Sequence, residues 1–363
     1  MNLRKFLIPT LSLFFVVFSC TDEEDDIVPI ATRERQEVYD ENEEDILTYF
    51  ETHFFNYEDF DFADANNPTN NEFTIVLDTI SIGNGTSDKT PIINYLNQAE
   101  GVFPRLDIKI VNQDDIDYNL YILKIRAGEG DNISPLDAAA MIYTGLTPDG
   151  TIFDSQVNIG LGQPFDLSGV VAGFREGIVE FKTSTGFTEN ADGSITYNNH
   201  GIGAVFMQSG LGYFADPPSS IDQYVPLFFK LNVISRSNTD YDGDGIPSHL
   251  EHPDGDTTDD DEDDTDGDSF ANYIDNDDDG DGVLTADEIE QKEYEDDGTN
   301  QFMSKAEAQA YFTANAATDE IFISIEAEQD GTYILHTVVV PATMVNGVSI
   351  PNYLNSDITT ELE

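Results

Sequence analysis

The chain has 363 residues and a formal net charge of −57, with 72 acidic against 15 basic side chains. A surface this acidic repels nucleic acid and anionic lipid and attracts cations, so phosphate-backbone binding is excluded from the plausible functions. The length suffices for two or three domains, each able to bury its own core. Between residues 240 and 297 there are 26 acidic side chains and one lysine. Calcium is therefore the ligand that this composition favours most.

The N-terminus has the features of an export signal. A positive start at Arg4 and Lys5 precedes an apolar run that ends at Phe18, which is the pattern of a secretory signal and not of a spanning helix. Residues 1–19 are therefore predicted to be a signal peptide. The only cysteine, Cys20, follows directly, and a lone cysteine cannot form an internal disulfide in an exported chain.

Cys20 and the three residues before it, Val-Phe-Ser, resemble the lipobox of bacterial lipoproteins. The resemblance implies that Cys20 is acylated and anchors the chain in a lipid bilayer. The expected location is the bacterial cell envelope, on the periplasmic or surface face of the outer membrane. The alternative is a soluble export signal with an incidental cysteine. Residues 20–35 then form an acidic tether.

Residues 36–117 are predicted to be an N-terminal extension without chemistry of its own. Ile46, Tyr49 and Phe50 recur at three- and four-residue spacing, which predicts a helix over residues 33–57. Two strands are predicted further along, at residues 73–77 and near 106–111.

Residues 118–236 carry the pattern of an antiparallel sheet crossed by one short helix. Pro148-Asp149-Gly150 is strong turn chemistry between two strands in the stretch 141–156, because proline presets φ and glycine accepts positive φ. Asp192-Gly193 predicts a hairpin over residues 183–199, and His200 beyond it is predicted to lie in a loop. The other predicted elements are strands at 118–126, 163–167, 202–208 and 227–233 and a helix at 172–181. The fold class is therefore α+β, with an N-terminal extension and an acidic C-terminal segment.

Several short motifs in this region resemble, in the same order, those of the FKBP-type peptidyl-prolyl isomerases. The segments are Tyr-Thr-Gly at 143–145, Phe-Asp-Ser at 153–155, the Pro-Phe strand at 164–165, Val-Val-Ala-Gly-Phe at 170–174 and Leu-Gly-Tyr at 211–213. The resemblance implies an FKBP-like sheet and an aromatic pocket for a proline ring. The implied pocket residues are Tyr143, Phe153, Asp154, Phe165, Val170, Val171, Phe174, Tyr213, Ile221 and Phe229.

Two of these positions have roles implied by the resemblance: the Tyr213 hydroxyl orients the substrate carbonyl, and Asp154 forms hydrogen bonds within the pocket. Phe174 would form the floor, where the family usually has tryptophan. The chain departs from the family at Gly169, where glutamate is common, and at residues 221–224, which replace an Ile-Pro-Pro loop. An alternative for the aromatic side chains is that they are only the core of a β domain.

The function that this resemblance implies is isomerisation of prolyl bonds in exported proteins by a monomer. An apolar pocket binds the twisted, less polar transition state in preference, so no catalytic cofactor is expected. A second hypothesis is a non-catalytic chaperone or binding module that uses the same groove.

The acidic segment, residues 238–297, contains three copies of a twelve-residue calcium loop, at 240–251, 264–275 and 277–288. Such loops place carboxylates at positions 1, 3, 5 and 12, a backbone carbonyl at 7 and glycine at 6. In the second copy Ser269 replaces that glycine. The predicted ligands are Asp240, Asp242, Asp244, Ile246 and Glu251 in the first loop, Asp264, Asp266, Asp268, Phe270 and Asp275 in the second, and Asp277, Asp279, Asp281, Val283 and Glu288 in the third.

Flanking helices of an EF-hand have little room here, because Pro247 and the short spacing between loops interrupt them. The segment instead resembles thrombospondin type 3 repeats, which implies that calcium has a structural role. The alternative is an acidic disordered tail.

The C-terminal segment, residues 298–363, has no role visible in the sequence. A helix is predicted over 304–315 and a hairpin over 321–341. Residues 344–355 echo the calcium loops but have Met344, Asn346, Val348 and Asn355 where ligands would stand. This fourth repeat is predicted to pack without binding calcium.

Overall fold

The computed structural model describes residues 32–159, 164–251 and 263–359. The predicted signal peptide, Cys20 and most of the tether lie outside the described residues. The described residues from 34 onward form one compact unit. Within the described ranges, none of the helices is long and apolar enough to cross a membrane.

Sheets dominate the secondary structure, and the few helices are mostly short, in agreement with the predicted α+β class. In chain order the elements are α1 (Arg35–Thr52), β1 (His53–Phe55), β2 (Leu77–Thr79), β3 (Arg105–Gln113), β4 (Ile116–Arg126), β5 (Ala138–Leu146), β6 (Ile152–Gln156), β7 (Phe165–Asp166), α2 (Ala172–Ile178), β8 (Gly186–Glu189), β9 (Ile195–Asn198), β10 (Gly201–Met207), β11 (Leu227–Ser237), α3 (Thr285–Glu288), β12 (Glu290–Tyr294), α4 (Lys305–Asn315), β13 (Glu320–Ala327), β14 (Tyr333–Val339), β15 (Ala342–Val345) and β16 (Val348–Pro351).

A seven-stranded sheet forms the centre of the molecule. Its strand order is β3-β4-β10-β11-β5-β6, with β7 paired to β5, and every pairing is antiparallel. Strand β3 pairs with β4 along its whole length, from Arg105 opposite Lys124 to Gln113 opposite Ile116. The sheet therefore begins before residue 118, where the isomerase-like region was predicted to start.

Both faces of this sheet are buried. On β4, Leu120 and Ile122 belong to the core under α2, whereas Leu123 and Ile125 belong to the core under α1. Phe50 of α1 lies in the second core, and its side chain is fully buried. Residues 120–126 of β4 are therefore all buried, with no alternation of buried and exposed positions, because the N-terminal extension covers the second face.

The extension differs from its prediction at two places. Helix α1 ends at Thr52, and His53 begins β1, which pairs with β2. The strand predicted at 73–77 is not formed before Leu77. Phe73 and Ile75 are nevertheless buried in the core under α1. Their alternating apolar pattern reflects this cover over the sheet and not a ladder of backbone hydrogen bonds.

The C-terminal segment forms a second, three-stranded sheet with the order β12-β14-β13. The predicted helix and hairpin are confirmed as α4 and as β13 with β14. Residues 352–354 form a 3-10 turn at the same repeat position as residues 248–250 and 272–274. Tyr353 in this turn is buried against Ile246 of the first acidic loop and Val338 of β14. The fourth repeat therefore packs as predicted, and its lack of calcium binding stays a prediction.

The hairpin predicted around Gly193 is confirmed as β8 and β9, and His200 lies in the loop between β9 and β10, as predicted. His200 is only 2 % exposed. The His200 Nδ1 lies 3.1 Å from the Tyr197 carbonyl oxygen. The Arg126 Nε donates to the His200 carbonyl oxygen at 2.8 Å. Burial, with the nearby Arg126 guanidinium, lowers the pKa of His200 to about 4.

We expect His200 to make folding weaken in acid. Since its pKa lies near 6.5 in the unfolded chain, the unfolded state binds the extra proton first. The contribution of neutral His200 to the free energy of unfolding is present in full above pH 6.5. It is lost as the pH falls from 6.5 through about 4, and the total loss is about 3 kcal/mol. Urea unfolding from pH 7 to 4 of the full chain and of His200→Gln should show the difference. His336→Gln, a partly exposed histidine of β14, is the control, and an unchanged pH slope in His200→Gln would contradict the expectation.

Candidate functional site

Nine of the ten predicted pocket residues line one cavity of about 190 Å³ on the α2 side of the sheet. Strands β5, β6, β7 and β11 contribute most of the aromatic side chains, α2 supplies the floor, and the segment before α2 supplies two valines. The lining consists of Tyr143, Phe153, Asp154, Phe165, Gly169, Val170, Val171, Phe174, Tyr213 and Phe229. Gly169 is the one member absent from the predicted set.

The aromatic rings in this pocket contact one another mostly edge to face. The Tyr143 ring centroid lies 5.6 Å from that of Phe165 and 5.7 Å from that of Phe174. Phe229 is 4.6 Å from Phe174 and 5.5 Å from Phe153. Edge-to-face pairs at these separations are mutually favourable, so each ring holds its neighbour in place. The pocket therefore has a preformed apolar wall.

Gly145 on β5 allows two of these rings to meet. A Cβ atom at this position would lie 2.6 Å from Phe153 Cζ and 2.9 Å from Phe229 Cε1, closer than carbon atoms can approach. The pocket can therefore have this shape only if the third residue of the Tyr-Thr-Gly motif is glycine.

The polar groups of the pocket are few. The Tyr143 hydroxyl donates a 2.6 Å hydrogen bond to Asp154 Oδ2, and the Ser155 backbone N–H donates to Asp154 Oδ1 at 2.8 Å. Burial and this hydrogen bond raise the pKa of Tyr143. Burial, and then the Asp154 charge, raise the pKa of Tyr213. Both hydroxyls therefore keep their protons at neutral pH and can act only as neutral hydrogen-bond partners.

Ile221 does not line the cavity. It is buried in the core beside the pocket, within the loop that departs from the family pattern. The backbone of this loop is held by Asn42 of α1, whose Nδ2 donates to the Tyr224 carbonyl at 2.9 Å. The Asn42 Oδ1 also accepts from the Ser209 N–H at 2.8 Å. Asn42 carries no sequence signal for this role, because its partners lie far away along the chain.

The three acidic loops share one backbone path. At position 6, Gly245, Ser269 and Gly282 all adopt positive φ, of 102°, 82° and 92°. In each loop the N–H of that residue donates to the carboxylate at position 1, at 3.2, 2.9 and 3.2 Å. Ser269 thus takes the left-handed conformation that its glycine counterparts take, so the predicted equivalence of the loops holds at the level of the backbone.

Clustered carboxylates are the main chemical feature of these loops. The carboxylates at positions 1, 3 and 5 of each loop can place one oxygen each within 4.8 Å of the others. Several carboxylate oxygens of the first and third loops are buried without a hydrogen-bond partner: Asp242 Oδ2, Asp244 Oδ2, Asp279 Oδ2, Asp281 Oδ2 and, at position 12, Glu288 Oε1. Buried carboxylates whose oxygens accept no hydrogen bond must be neutralised, either by a proton or by a cation. An all-oxygen donor set of this kind fits calcium.

Burial and mutual repulsion act together on these acids. Burial, and then the charges of the neighbouring carboxylates, raise the pKa of Asp244 to about 7 and that of Glu288 to about 7.

The first acidic loop contacts the central sheet next to the pocket. The Tyr241 hydroxyl lies 2.5 Å from Asp166 Oδ1 and 3.0 Å from Ser168 Oγ, in the turn between Phe165 and Gly169. His249 of the same loop has its Nδ1 3.5 Å from Oδ1 of the buried Asp137, just before β5. The first acidic loop is therefore attached to the region of the sheet around β7.

Comparison with known proteins agrees with the isomerase-like motifs. Over 78 residues, 22% of this chain, the sequence is 35% identical to a probable FKBP-type peptidyl-prolyl cis-trans isomerase from Haemophilus influenzae. Over 80 residues it is 31% identical to the FKBP-type peptidyl-prolyl cis-trans isomerase FkpA from Aeromonas hydrophila. The chain spans about a third of the length of these relatives, 32% and 30%. Part of the chain is therefore homologous to FKBP-type isomerases.

A family model described as BamM C-terminal matches residues 241–322. Among solved structures, the chain is similar to a peptidyl-prolyl cis-trans isomerase from Pseudomonas syringae, at 22% identity and a TM-score of 0.27, over 36% of this chain and 80% of that one. It is also similar to FkpA from Escherichia coli, at 22% identity and a TM-score of 0.27, over 32% of this chain and 48% of that one.

We predict that Tyr143→Phe destabilises the sheet by about 1 kcal/mol, because it removes a hydrogen bond to a carboxylate. The loss should appear as a lower urea midpoint with an unchanged slope. Tyr213→Phe is the matched control, since the Tyr213 side chain is 36% exposed at the pocket rim and should cost less. Equal midpoints for the two variants would contradict the role assigned to the bond between Tyr143 and Asp154.

Proposed function

We propose that the protein is a peptidyl-prolyl cis-trans isomerase that acts on exported proteins. The observation that carries the proposal is the convergence of aromatic side chains from four strands and α2 on one cavity. These side chains belong to the short motifs that resemble those of the FKBP family. The alternative, a non-catalytic chaperone that holds proline-containing segments in the same groove, uses the same lining.

The reaction needs little chemistry from the protein. A prolyl bond rotates slowly because amide resonance stiffens it, and the twisted transition state has lost that resonance. The twisted amide is less polar than the planar one, so an apolar cavity binds it in preference to the substrate. Phe153, Phe174 and Phe229 supply such a wall. The Tyr213 hydroxyl at the rim can donate to a substrate carbonyl, and Asp154 holds Tyr143 in place.

Prolyl isomerisation by the full chain tests this proposal. We expect acceleration of a proline peptide in a protease-coupled assay, and Phe153→Ala should reduce kcat/KM about tenfold, because it removes a half-buried aromatic wall worth about 1.5 kcal/mol or more. Phe187→Ala is the control, since this phenylalanine lies 62% exposed on the β8 hairpin outside the cavity. Circular dichroism verifies that each variant is folded.

The two functional readings separate in the same experiment. If the folded chain does not accelerate isomerisation but binds the peptide, and Phe153→Ala abolishes that binding, the groove is a chaperone site. If it neither accelerates nor binds, both readings are wrong.

The location follows from the lipobox-like sequence before Cys20. A lipid anchor there would hold a monomeric isomerase at the cell envelope, in the outer membrane, where exported proteins fold. The sequence motif alone supports this part of the proposal.

The acidic loops are proposed to bind calcium as a structural ion that orders the acidic segment, residues 238–297. Asp240, Asp242 and Asp244 would hold it in the first loop, and Asp277, Asp279 and Asp281 in the third, with backbone carbonyls at Ile246 and Val283. The second loop offers Asp264, Asp266 and Asp268. The ion supplies the positive charge that lets these carboxylates stay ionised close together. Calcium is abundant outside the cell, so weak sites would be filled there.

Calcium should stabilise the full chain, and substitutions in the loops should reduce the effect. Saturation a hundredfold above the dissociation constant of one site is worth about 2.7 kcal/mol. Asp242→Ala and Asp279→Ala should each weaken binding in titration calorimetry and lower the calcium-dependent rise in Tm. Glu295→Ala, an exposed acid outside the three loops, is the control. If calcium changes neither the Tm nor the heat of the unmodified chain, the loops are only an acidic surface.

A further inference from the structure

A fourth carboxylate cluster lies between the first and the third acidic loop. Asp244, Glu251 and Asp278 can each place an oxygen within 4.8 Å of the other two. Asp244 and Glu251 are positions 5 and 12 of the first loop, whereas Asp278 is position 2 of the third. The repeat pattern assigns no ligand to position 2, so this cluster is not contained in either loop.

Burial distinguishes this cluster from an ordinary acidic surface. Asp244 is 1% exposed, and Glu251 and Asp278 are both fully buried. Both oxygens of Glu251, Oδ2 of Asp244 and Oδ1 of Asp278 have no hydrogen-bond partner. The remaining oxygens are satisfied: Asp244 Oδ1 accepts from the Ile246 N–H at 2.7 Å, and Asp278 Oδ2 accepts from the Thr285 hydroxyl.

No basic side chain among the described residues forms an ion pair with these three acids. Three buried carboxylates with unpaired oxygens facing one another would repel strongly, and burying such charges without a partner costs several kcal/mol each. Oxygens on opposite sides of a calcium ion, each at 2.3–2.6 Å, lie about 5 Å apart. The spacing of this cluster therefore matches oxygens that surround a single ion.

Tyr353 of the fourth repeat is buried close enough to all three acids for their charges to act on its hydroxyl. Burial, and then the charges of Asp278, Glu251 and Asp244, raise the pKa of its hydroxyl.

We propose that Asp244, Glu251 and Asp278 together bind a calcium ion, so that the third loop contributes a ligand to a site begun by the first. The inference extends the calcium function proposed above for the individual loops. It adds a ligand outside the repeat pattern and a metal-dependent bond between two loops that are distant in sequence.

Calcium titration of the full chain tests this site. After removal of metal with a chelator, we expect Asp278→Asn to weaken at least one binding event tenfold or more in calorimetry. Asparagine preserves the shape of the side chain and can still accept from Thr285. Asp287→Asn is the matched control, because it makes the same change of charge at an exposed position of α3, and it should bind calcium as the unmodified chain does.

The outcomes separate this inference from the broader proposal. If the unmodified chain binds calcium and Asp278→Asn binds it with the same affinity and stoichiometry, the shared site is wrong while the loop sites stand. If the unmodified chain binds none, both fail.

Terbium provides a second measurement that does not depend on the folding of Asp278→Asn. Terbium ions replace calcium and emit when a nearby tyrosine is excited. Tyr353→Phe keeps every proposed ligand, so it should leave the amount of bound metal unchanged and lower the sensitised emission. Unchanged emission would place the ion away from Tyr353 and overturn the site.

Discussion

The burial of both faces of the central sheet is the constraint on which the rest of the structure depends. A sheet covered on one face only would expose Leu123, Ile125 and Phe206, which are all fully buried under α1. The extension that carries α1 is thus part of the core. Because one apolar face is sealed by α1, the other is free to carry α2 and the aromatic cavity.

The same helix also reaches the side of the sheet that holds the pocket. The Asn42 side chain of α1 forms hydrogen bonds with the backbone of both Ser209 and Tyr224. These two residues lie at the two ends of the loop that contains Tyr213. Glu43 accepts from the Tyr121 hydroxyl at 2.5 Å and from Gln208 Nε2 at 2.7 Å. Together these polar contacts of α1 hold the two ends of the loop, at residues 208–209 and at residue 224.

Local signals explain what could be predicted from the sequence. The Pro-Asp-Gly turn brings Tyr143 and Phe153 onto paired strands, and regular turn chemistry made the hairpin at Gly193 predictable. Long-range contacts explain what could not. The membership of β3 in the central sheet, the role of Asn42 and the burial of Ile221 depend on partners far away in the chain. Asp278 escapes the repeat pattern for the same reason, since its neighbours Asp244 and Glu251 belong to another loop.

The acidic arm and the pocket are linked through one short turn. Phe165 and Gly169 both line the cavity, and between them Asp166 and Ser168 meet the Tyr241 hydroxyl of the first loop. Tyr241 is the side chain through which the first acidic loop meets this turn, so a displacement of the loop at Tyr241 would break both contacts with the turn. The turn in question carries two residues of the cavity lining, and the first acidic loop therefore helps to support one wall of the pocket.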